Sequence, residues 1–528
     1  MIRGMHNSTR VKVLLASVIF FVSIVAYYYP VYKKGYPPGM EHQNLIEARN
    51  FAAAGTYKFE NSIGILLSSK NASQIGVEKG ILNPLTPIIY GYVFKYFGFK
   101  PTLPLYVSIV LFAFFNVLIF LLSARLFGII AGFLSGIAVA LMPVMAVGAV
   151  HGGFYEWGMI FFGLALWAYL GAKNGPFQAA NVRIFIAGIL FALAALSRNA
   201  FAISFVPFLL YDFFIHRSYN RSLIFLLPFI VLFASTLTPY SWLGVPNGYV
   251  ADMEQQTFGL TGHFFYDPYS FYYDKENFIK RIYDEGLSRQ AVLFASQWGF
   301  DVSLSERFGA YFESFTFYVK ETVNLVSMGG PVVLGLVLLG FARLYYLNKK
   351  LLGLFVLWWI FWLGYLVYGK TGNWDHFMET IFISSTLTGL GLLRLIEILS
   401  AETLKKTAVS LIIPILFMSH LAYANKWKLH DIYRSSKEEI ILDLKSNIIS
   451  QGDAGGVYAV GVHPSSVYSL NYNIDHDVVY FDPITVENLI SNGKLKEAFG
   501  IYNISAVLGY GESLTEKIKS QVSVRSIP

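Results

Sequence analysis

The sequence predicts a mainly α-helical, polytopic membrane protein with about eleven spans, a helical first outer loop and a small C-terminal α/β domain. Three observations predict this fold: a composition poor in charge, a series of apolar segments of spanning length, and alternating strand and helix patterns near the C-terminus. Of 528 residues, 55% are hydrophobic and only 14% are charged, whereas a soluble chain carries about 25% charged residues. The chain has no cysteine, which excludes disulfides and thiolate metal sites.

The apolar segments define the predicted spans. A spanning helix needs about 20 mostly apolar residues. The segments that approach or meet this length are 12–30, 102–123, 126–143, 153–172, 183–198, 199–216, 221–239, 329–346, 351–369, 376–397 and 406–424. The first lacks a small-residue cleavage site, so we expect a retained span and not a removed signal peptide. Ser197-Arg198-Asn199 separates the fifth and sixth segments and is predicted to form a tight turn at a membrane face.

Lys and Arg are distributed unevenly between the short loops. With a cytoplasmic N-terminus, the short loops on the other side hold only Arg198 and Lys370. The cytoplasmic segments then hold Arg3, Arg10, Lys12, Arg125, Lys173, Arg183, Arg217, Arg221, Arg343, Lys349, Lys350, Arg394, Lys405 and Lys406. This asymmetry follows the positive-inside rule and predicts a multi-pass protein of the cell membrane whose N-terminus is cytoplasmic. It also accounts for the net charge of +7 without a nucleic-acid partner.

Two long loops and the tail fall on the outer side in this orientation. The first loop, 31–101, has the pattern of two short helices, opened by Glu41 and by Asn83-Pro84. In the second loop, 240–328, the parts 276–298 and 304–327 have helical apolar spacing, which is typical of helices that lie flat on the bilayer surface.

The tail, 425–528, has a different pattern from the rest of the chain. KEEIILDLKSNIIS and VENLISNGKLKEAFG are predicted helices, whereas GGVYAVGV, HDVVYFD and ISAVLGYG are predicted strands. This alternation predicts a small extracytoplasmic α/β domain. We therefore assign 1–424 to the membrane domain, including both outer loops, and 425–528 to the outer domain.

Polar residues from four distant segments are predicted to lie on the same outer face. They are Glu41-His42, His151 with Glu156, Arg198-Asn199, and Asp375-His376, with Glu379 one helical turn further on. Each has an ordinary structural alternative, such as a helix cap for Glu41 or an interface anchor for Arg198. Charged groups at membrane level usually face a cavity or each other, because lipid cannot solvate them. Their coincidence on one face therefore favours a functional site.

Short motifs in the same segments resemble those of GT-C glycosyltransferases. The nearest branch contains the protein O-mannosyltransferases and the lipid A aminoarabinose transferase. The matching motifs are Glu41-His42, Ala52 to Tyr57 (AAAGTY), Asn83 to Pro87 (NPLTP), Phe97-Gly98, Glu156 and Leu196-Ser197-Arg198. The resemblance covers roughly residues 10–400. This chain departs from the family pattern at the leading acid, where Glu followed by His replaces Asp followed by a second acid.

The resemblance implies a hexosyl- or pentosyltransferase. Its donor is a sugar on a polyprenyl phosphate in the bilayer, and its acceptor is a protein, lipid or glycan that enters from the aqueous side. In this reading a carboxylate deprotonates the acceptor hydroxyl, and the sugar carbon is inverted. The implied catalytic acids are Glu41 and Glu156, the phosphate-binding residues are Arg198, His376 and Lys370, and the further pocket residues are His42, His151, Asn199 and Asp375.

Other classes of function remain open in the sequence. A transporter or flippase would place ionisable residues near the bilayer midplane, whereas here the span centres are almost free of charge. A catalytically inactive scaffold that binds glycan or lipid is compatible with the Glu41-His42 departure. No Gly-rich phosphate loop indicates a nucleotide sugar. No cofactor is indicated: Glu41 and His42 could join His151 or His376 around a divalent cation, but no helical His-x-x-x-His spacing indicates a metal.

Overall fold

The computed structural model describes sixteen parts of the chain. They are residues 9–34, 42–58, 65–72, 84–153, 155–172, 177–198, 200–234, 269, 273, 303–324, 328–369, 374–399, 412–426, 448, 456–461 and 464–527. The contacts divide the chain into two compact units. We call Met1–Pro37, Pro104–Ser235 and Tyr311–Arg434 the membrane unit, and Pro38–Leu103, Thr236–Ala310 and Ser435–Pro528 the loop–tail unit.

The membrane unit is a bundle of apolar helices. Its helices in the first half of the chain are α1 (Thr9–Lys34), α4 (Leu103–Phe127), α5 (Ile129–Leu141), α6 (Pro143–Val150), α7 (Glu156–Gly171), α8 (Phe177–Ser197), α9 (Phe201–Leu210, continued by a π-helical turn, Tyr211–Ile215) and α10 (Tyr219–Ala234). Those in the second half are α11 (Leu304–Thr322, whose first turns belong to the other unit), α12 (Gly330–Leu347), α13 (Lys349–Gly369), a 3₁₀ helix (Trp374–Thr380), α14 (Ile381–Leu399) and α15 (412–426). The predicted mainly α-helical, polytopic fold is confirmed.

Span-length helices account for a large part of this bundle. Among the described residues, six helices are long and apolar enough to cross a membrane, or seven if the bent pair α5–α6 counts as one span. The shorter apolar helices Glu156–Gly171, Phe201–Ile215 and Tyr219–Phe233 coincide with three more of the predicted spans. The chain is thus a multi-pass membrane protein.

The predicted span at 126–143 is broken. Helix α5 ends at Leu141, α6 begins at Pro143, and the two axes differ by 57°. Proline has no N–H to donate and its ring clashes with the preceding turn, so it favours the first turn of a new helix. As a result α5 ends early and a second short helix, α6, follows it. The apolar pattern of the sequence does not distinguish such a helix from a loop.

Glycines allow α14 to approach its neighbours closely. A Cβ on Gly340 of α12 would overlap the carbonyl oxygen of Leu387, and one on Gly391 of α14 would overlap the carbonyl oxygen of Leu336. On the other side of α14, a Cβ on Gly389 would overlap the Ser135 hydroxyl of α5. Small residues at such crossings are typical of packed membrane helices.

We expect Gly340→Ala to destabilise the bundle by about 1–3 kcal/mol, because the added methyl group forces α12 and α14 apart. Thermal unfolding of the purified protein in detergent measures this loss. Gly335→Ala, in the same helix, is the matched control, because a Cβ there meets no atom within 4 Å. Alanine at this helical position is expected to be neutral or stabilising. Equal melting temperatures for the two variants would contradict this account of the crossing.

The loop–tail unit contains two helices from the first outer loop and the α/β tail. The loop helices are α2 (His42–Ala54) and α3 (Leu85–Phe97). The tail elements are β1 (Val457–Val460), α16 (Pro464–Ile474), β2 (Val478–Tyr480), α17 (Pro483–Ser491), α18 (Leu495–Ile501), β3 (Ile504–Leu508), α19 (Glu512–Gln521) and β4 (Arg525–Ile527). The four strands form one parallel sheet in the order β2-β1-β3-β4, which confirms the predicted small α/β domain. Most of the predicted helix KEEIILDLKSNIIS lies outside the described residues.

The core of the tail includes residues from the first outer loop. Ile65, Leu67 and Ala72 are buried in the same hydrophobic cluster as strand residues of the tail such as Val457 and Val479. Leu66 also forms an antiparallel bridge with Val478 of β2. The contacts therefore group the first loop with the tail, whereas the sequence assigns that loop to the membrane domain.

Candidate active site

A buried arginine lies at the centre of the candidate site in the membrane unit. Arg198 follows the last residue of α8 and is 3% exposed. Its Nε donates a hydrogen bond to Oε1 of Glu379 at 3.0 Å, and Glu379 in the 3₁₀ helix is completely buried. Two charges in an apolar bundle are tolerated when they pair in this way, since removing either one would leave the other uncompensated.

Tyr155 connects this ion pair to the start of α7. The guanidinium carbon of Arg198 lies 3.6 Å from the centre of the Tyr155 ring. Tyr155 is itself fully buried and immediately precedes α7. A guanidinium over an aromatic face gains a cation–π attraction that is strongest when both groups are desolvated. The stacking fixes the plane of the guanidinium group.

Glu156, the first residue of α7, is held by the turn that precedes it. Its Oε1 accepts a hydrogen bond from the Gly153 N–H at 2.8 Å, and its side chain is fully buried. The turn depends on glycine, because Gly153 has φ of +96°, a conformation that a side chain disfavours. The N-terminus of α7 is also the positive end of its dipole, which attracts a carboxylate. Glu156 therefore has a fixed position beside Tyr155.

Close helix packing brings these segments together. A Cβ on Gly158 of α7 would collide with the Phe201 ring at the start of α9. Likewise, a Cβ on Gly148 of α6 would collide with the Met378 side chain, next to Glu379 in the 3₁₀ helix. These two glycines let α7 approach α9, and α6 approach the 3₁₀ helix, at the level of the charged groups.

The predicted site residues fall into three groups in the structure. Glu156, Arg198 and His151 are described with their side chains, and His151 is half-buried where α6 ends. His42, Asp375 and His376 are described only in their backbone, as residues of α2 and the 3₁₀ helix. Glu41, Asn199 and Lys370 lie outside the described residues, so their predicted places in the site stay predictions.

Two residues at the site carry no role in the sequence analysis. Glu379 is predicted there to lie on the outer face with the other polar residues but is given no chemical role, and Tyr155 is not singled out. A buried acid in a membrane helix requires a partner, which was the available signal for Glu379. Nothing in the sequence near Glu379 indicates that its partner is Arg198, which lies 181 positions earlier.

The geometry adds a constraint to the predicted phosphate-binding role of Arg198. Its Nε is engaged by Glu379, but a guanidinium has five N–H donors. The ion pair with Glu379 therefore orients the guanidinium group. Within the described parts of the chain, no three His, Asp or Glu side chains form a group that could hold a metal ion.

A second buried arginine holds α2, the helix that follows Glu41. Arg49 donates through Nη1 to the Asn471 carbonyl at 2.7 Å and through Nη2 to the Leu67 carbonyl at 3.0 Å. It also pairs with Asp475 at 3.2 Å. Burial lowers the pKa of Arg49, and the charge of Asp475 opposes this shift. The whole network lies in the loop–tail unit, where it connects α2 to the end of α16.

Neighbouring acids complete this network, which we call the Arg49 clamp (Arg49, Asn471, Asp475 and Asp477). Asp477 accepts the Ser68 N–H at 2.7 Å and the Asn71 side-chain amide at 2.6 Å. Asp475 accepts the Ser69 N–H at 2.7 Å. Hence the loop segment 65–72 and α2 are both bound to the same edge of the tail domain.

Comparison with known proteins identifies the fold. No protein-family model matches the sequence, and no curated protein matches it. Among solved structures, ArnT from Cupriavidus metallidurans bound to undecaprenyl phosphate is similar, with a TM-score of 0.54 and 11% identity over 98% of this chain and 89% of that one. The oligosaccharyltransferase AglB from Archaeoglobus fulgidus, in complex with an inhibitory peptide and a dolichol-phosphate, has a TM-score of 0.57 and 10% identity over 94% and 69%.

A further structure of the Archaeoglobus fulgidus oligosaccharyltransferase, in complex with Zn and sulfate, has a TM-score of 0.59 and 11% identity over 93% of this chain and 67% of that one. Both neighbouring proteins are GT-C glycosyltransferases. At such low identity the similarity establishes the fold, and the chain has a GT-C-like membrane fold.

Proposed function

We propose that the protein is a glycosyltransferase that moves a sugar from a polyprenyl-phosphate donor to an acceptor hydroxyl at the outer face of the cell membrane. The observation that carries this proposal is the buried Arg198–Glu379 pair, stacked on Tyr155 next to Glu156, within a GT-C-like fold. The neighbours with this fold were solved with undecaprenyl phosphate and with a dolichol-phosphate. A lipid-linked phosphate is accordingly the ligand class for which we assign Arg198.

The proposed reaction is a single inverting displacement. A carboxylate, assigned to Glu41 with Glu156 orienting the acceptor or sharing the base role, takes the proton of the acceptor hydroxyl. The hydroxyl oxygen forms a bond to the anomeric carbon while the bond from that carbon to the phosphate oxygen breaks. The leaving lipid phosphate keeps the electron pair, and Arg198 stabilises its developing charge through charge-assisted hydrogen bonds. The reaction needs no enzyme-bound sugar intermediate.

The placement of charge favours catalysis over transport. Glu156, Arg198 and Glu379 all lie at or next to helix termini, and not in the middle of long spans. A transporter typically places such groups near the bilayer midplane. Substrate counterflow in vesicles by the purified protein, without sugar transfer, would identify a transporter instead.

We expect Glu41→Gln to reduce transfer about 10²–10⁴-fold, because glutamine cannot accept the acceptor proton. Mass spectrometry of cell-envelope glycans, with and without the substitution, measures the effect in cells. Turnover of lipid-linked sugar by the purified protein measures it directly. Unchanged glycans despite confirmed expression would count against the enzymatic proposal.

Two substitutions of Glu156 distinguish its structural role in the turn from a chemical role in transfer. Glu156→Gln retains an oxygen that can accept the Gly153 N–H but removes the charge, whereas Glu156→Ala removes both. If Glu156 shares the base role, we expect the Gln variant to melt like the parent but transfer sugar at least about 10²-fold more slowly. Full activity of a well-folded Gln variant would restrict Glu156 to holding the turn.

A further inference from the structure

Helix α11 carries an exposed row of large apolar side chains. Leu304, Phe308, Phe312, Phe315 and Val319 are 74%, 70%, 66%, 41% and 45% exposed in the described structure. At 3.6 residues per turn they fall within an arc of about 80°. We call these five residues the apolar stripe. A continuous aromatic and aliphatic row of this kind marks an interaction surface.

The rest of the helix surface divides into two other sectors. On one side of the stripe, Ser314 and Tyr318 are buried, and the Tyr318 ring lies 6.0 Å from that of Phe377 in the 3₁₀ helix. On the other side lie polar residues, including the exposed Lys320 and the half-exposed Thr316. The helix thus has a packed face, an apolar face and a polar face in succession. A helix surrounded by lipid would instead be apolar all round.

The end of α11 is fixed where the next span begins. The carbonyl of Asn324 accepts the N–H groups of Met328 and Gly330 at 3.1 and 3.2 Å, and Gly330 is the first residue of the span-length helix α12. This hydrogen-bonded corner places the C-terminal end of α11 at the level where the chain enters the membrane. Val323, 38% exposed, extends the stripe towards the corner.

We propose that α11 lies in the plane of the bilayer surface at the start of α12, with its apolar stripe immersed in lipid. An interfacial helix of this type buries its apolar face about 5–10 Å into the boundary between headgroups and acyl chains and keeps its charged face in water. The occupant is lipid because the Asn324 corner joins the stripe directly to the span-length helix α12, whose apolar residues Val332 and Leu338 are also exposed. The inference does not depend on the proposed enzymatic activity.

This placement also gives the candidate site a support at the membrane surface. The packed face of α11 contacts Phe377, two residues before Glu379 in the same 3₁₀ helix. Immersion of the adjacent apolar face in lipid would keep α11, and with it this contact, at a constant depth in the membrane.

Because the chain has no cysteine, single cysteines can report the depth of α11 in the full-length protein. We would place a nitroxide spin label at Phe312→Cys, Val319→Cys and, on the polar face, Lys320→Cys, and reconstitute each variant into phosphatidylcholine vesicles. Power-saturation measurements compare collisions with oxygen, which concentrates in hydrocarbon, and with a water-soluble nickel chelate. Phe308→Cys replaces Phe312→Cys if that variant does not elute as a folded protein.

We expect oxygen collisions to exceed nickel collisions at 312 and 319 and the reverse at 320. Nickel-accessible labels at 312 and 319 would place the stripe in water and overturn the proposal. Labels at those positions that are shielded from both reagents would show that protein covers the stripe, either another part of the chain or a second copy, and would overturn it equally.

Discussion

Arg198→Met is expected to slow sugar transfer strongly and to destabilise the membrane unit. The substitution leaves the fully buried Glu379 without its cation, and breaking a buried pair from one side costs about 3–5 kcal/mol. It also removes the group assigned to the leaving phosphate, whose loss is expected to slow transfer about 10²–10³-fold. Thermal unfolding in detergent measures the first effect, and turnover of lipid-linked sugar per folded molecule measures the second.

The double variant Arg198→Met/Glu379→Met separates the two effects. Replacing both charges by apolar side chains of similar length is often neutral for stability, so we expect most of the lost stability to return. Activity should not return, because no cation remains for the phosphate. Substantial transfer by the folded double variant would assign Arg198 a structural role only.

A second ion pair in the same unit, with a fully buried acid and a partly buried arginine, provides the control. Arg221 and Asp212 are 2.9 Å apart, with Asp212 fully buried, near the opposite end of α9 from Arg198. Arg221→Met should cost a similar amount of stability while leaving transfer per folded molecule unchanged. A comparable loss of specific activity in both arginine variants would show that the effect of Arg198→Met reflects general damage to the bundle.

Arg49→Met is expected to separate the first outer loop from the tail domain. The substitution removes hydrogen bonds to the Leu67 and Asn471 carbonyls and the contact with Asp475. Arg49 is almost fully buried, so the two carbonyls cannot replace it fully with water, whereas Asp475 is 37% exposed and can be solvated. We therefore expect a loss of about 2–4 kcal/mol in the loop–tail unit. Hydrogen exchange should accelerate most in 65–72 and 471–480, the two segments that the clamp connects.

An exposed ion pair of the same domain serves as the control for this prediction. Lys519 and Glu516 lie one turn apart on α19, at 3.3 Å. Lys519→Met is expected to change stability by less than about 0.5 kcal/mol, as is usual for exposed pairs. If exchange in 65–72 were the same in Arg49→Met as in the parent protein, the clamp would not be what holds the loop.

The Arg49 clamp also helps to explain why the first outer loop belongs to the same compact unit as the tail. The tail pattern is recognisable in sequence, and its predicted strands at GGVYAVGV, HDVVYFD and ISAVLGYG correspond to β1, β2 and β3. The sequence does not indicate that Ile65, Leu67 and Ala72 complete the hydrophobic core of that domain. The first loop and the tail therefore depend on each other for stability, which matters because α2 follows Glu41 directly in the chain.

Features that repeat within a short window of sequence could be predicted without the structure. They include the span-length apolar segments, the alternation of strands and helices in the tail, and the amphipathic spacing of α11. Each is a periodic pattern of neighbouring residues, because the repeat of a helix or strand decides which of them face the core. The short motifs that resemble GT-C enzymes are equally local. These features were sufficient to predict the polytopic fold that the structure confirms.

The pairing of the buried charges could be read from the three-dimensional structure and not from the sequence. Arg198 lies 181 positions from Glu379, and Arg49 lies 422 positions from Asn471, so no pattern within one helix or strand specifies either pairing. The break between Leu141 and Pro143, and the glycine contacts of α14, likewise depend on neighbours that come from other segments. A buried charge requires a partner wherever the chain can supply one, and that requirement is met in three dimensions and not along the sequence.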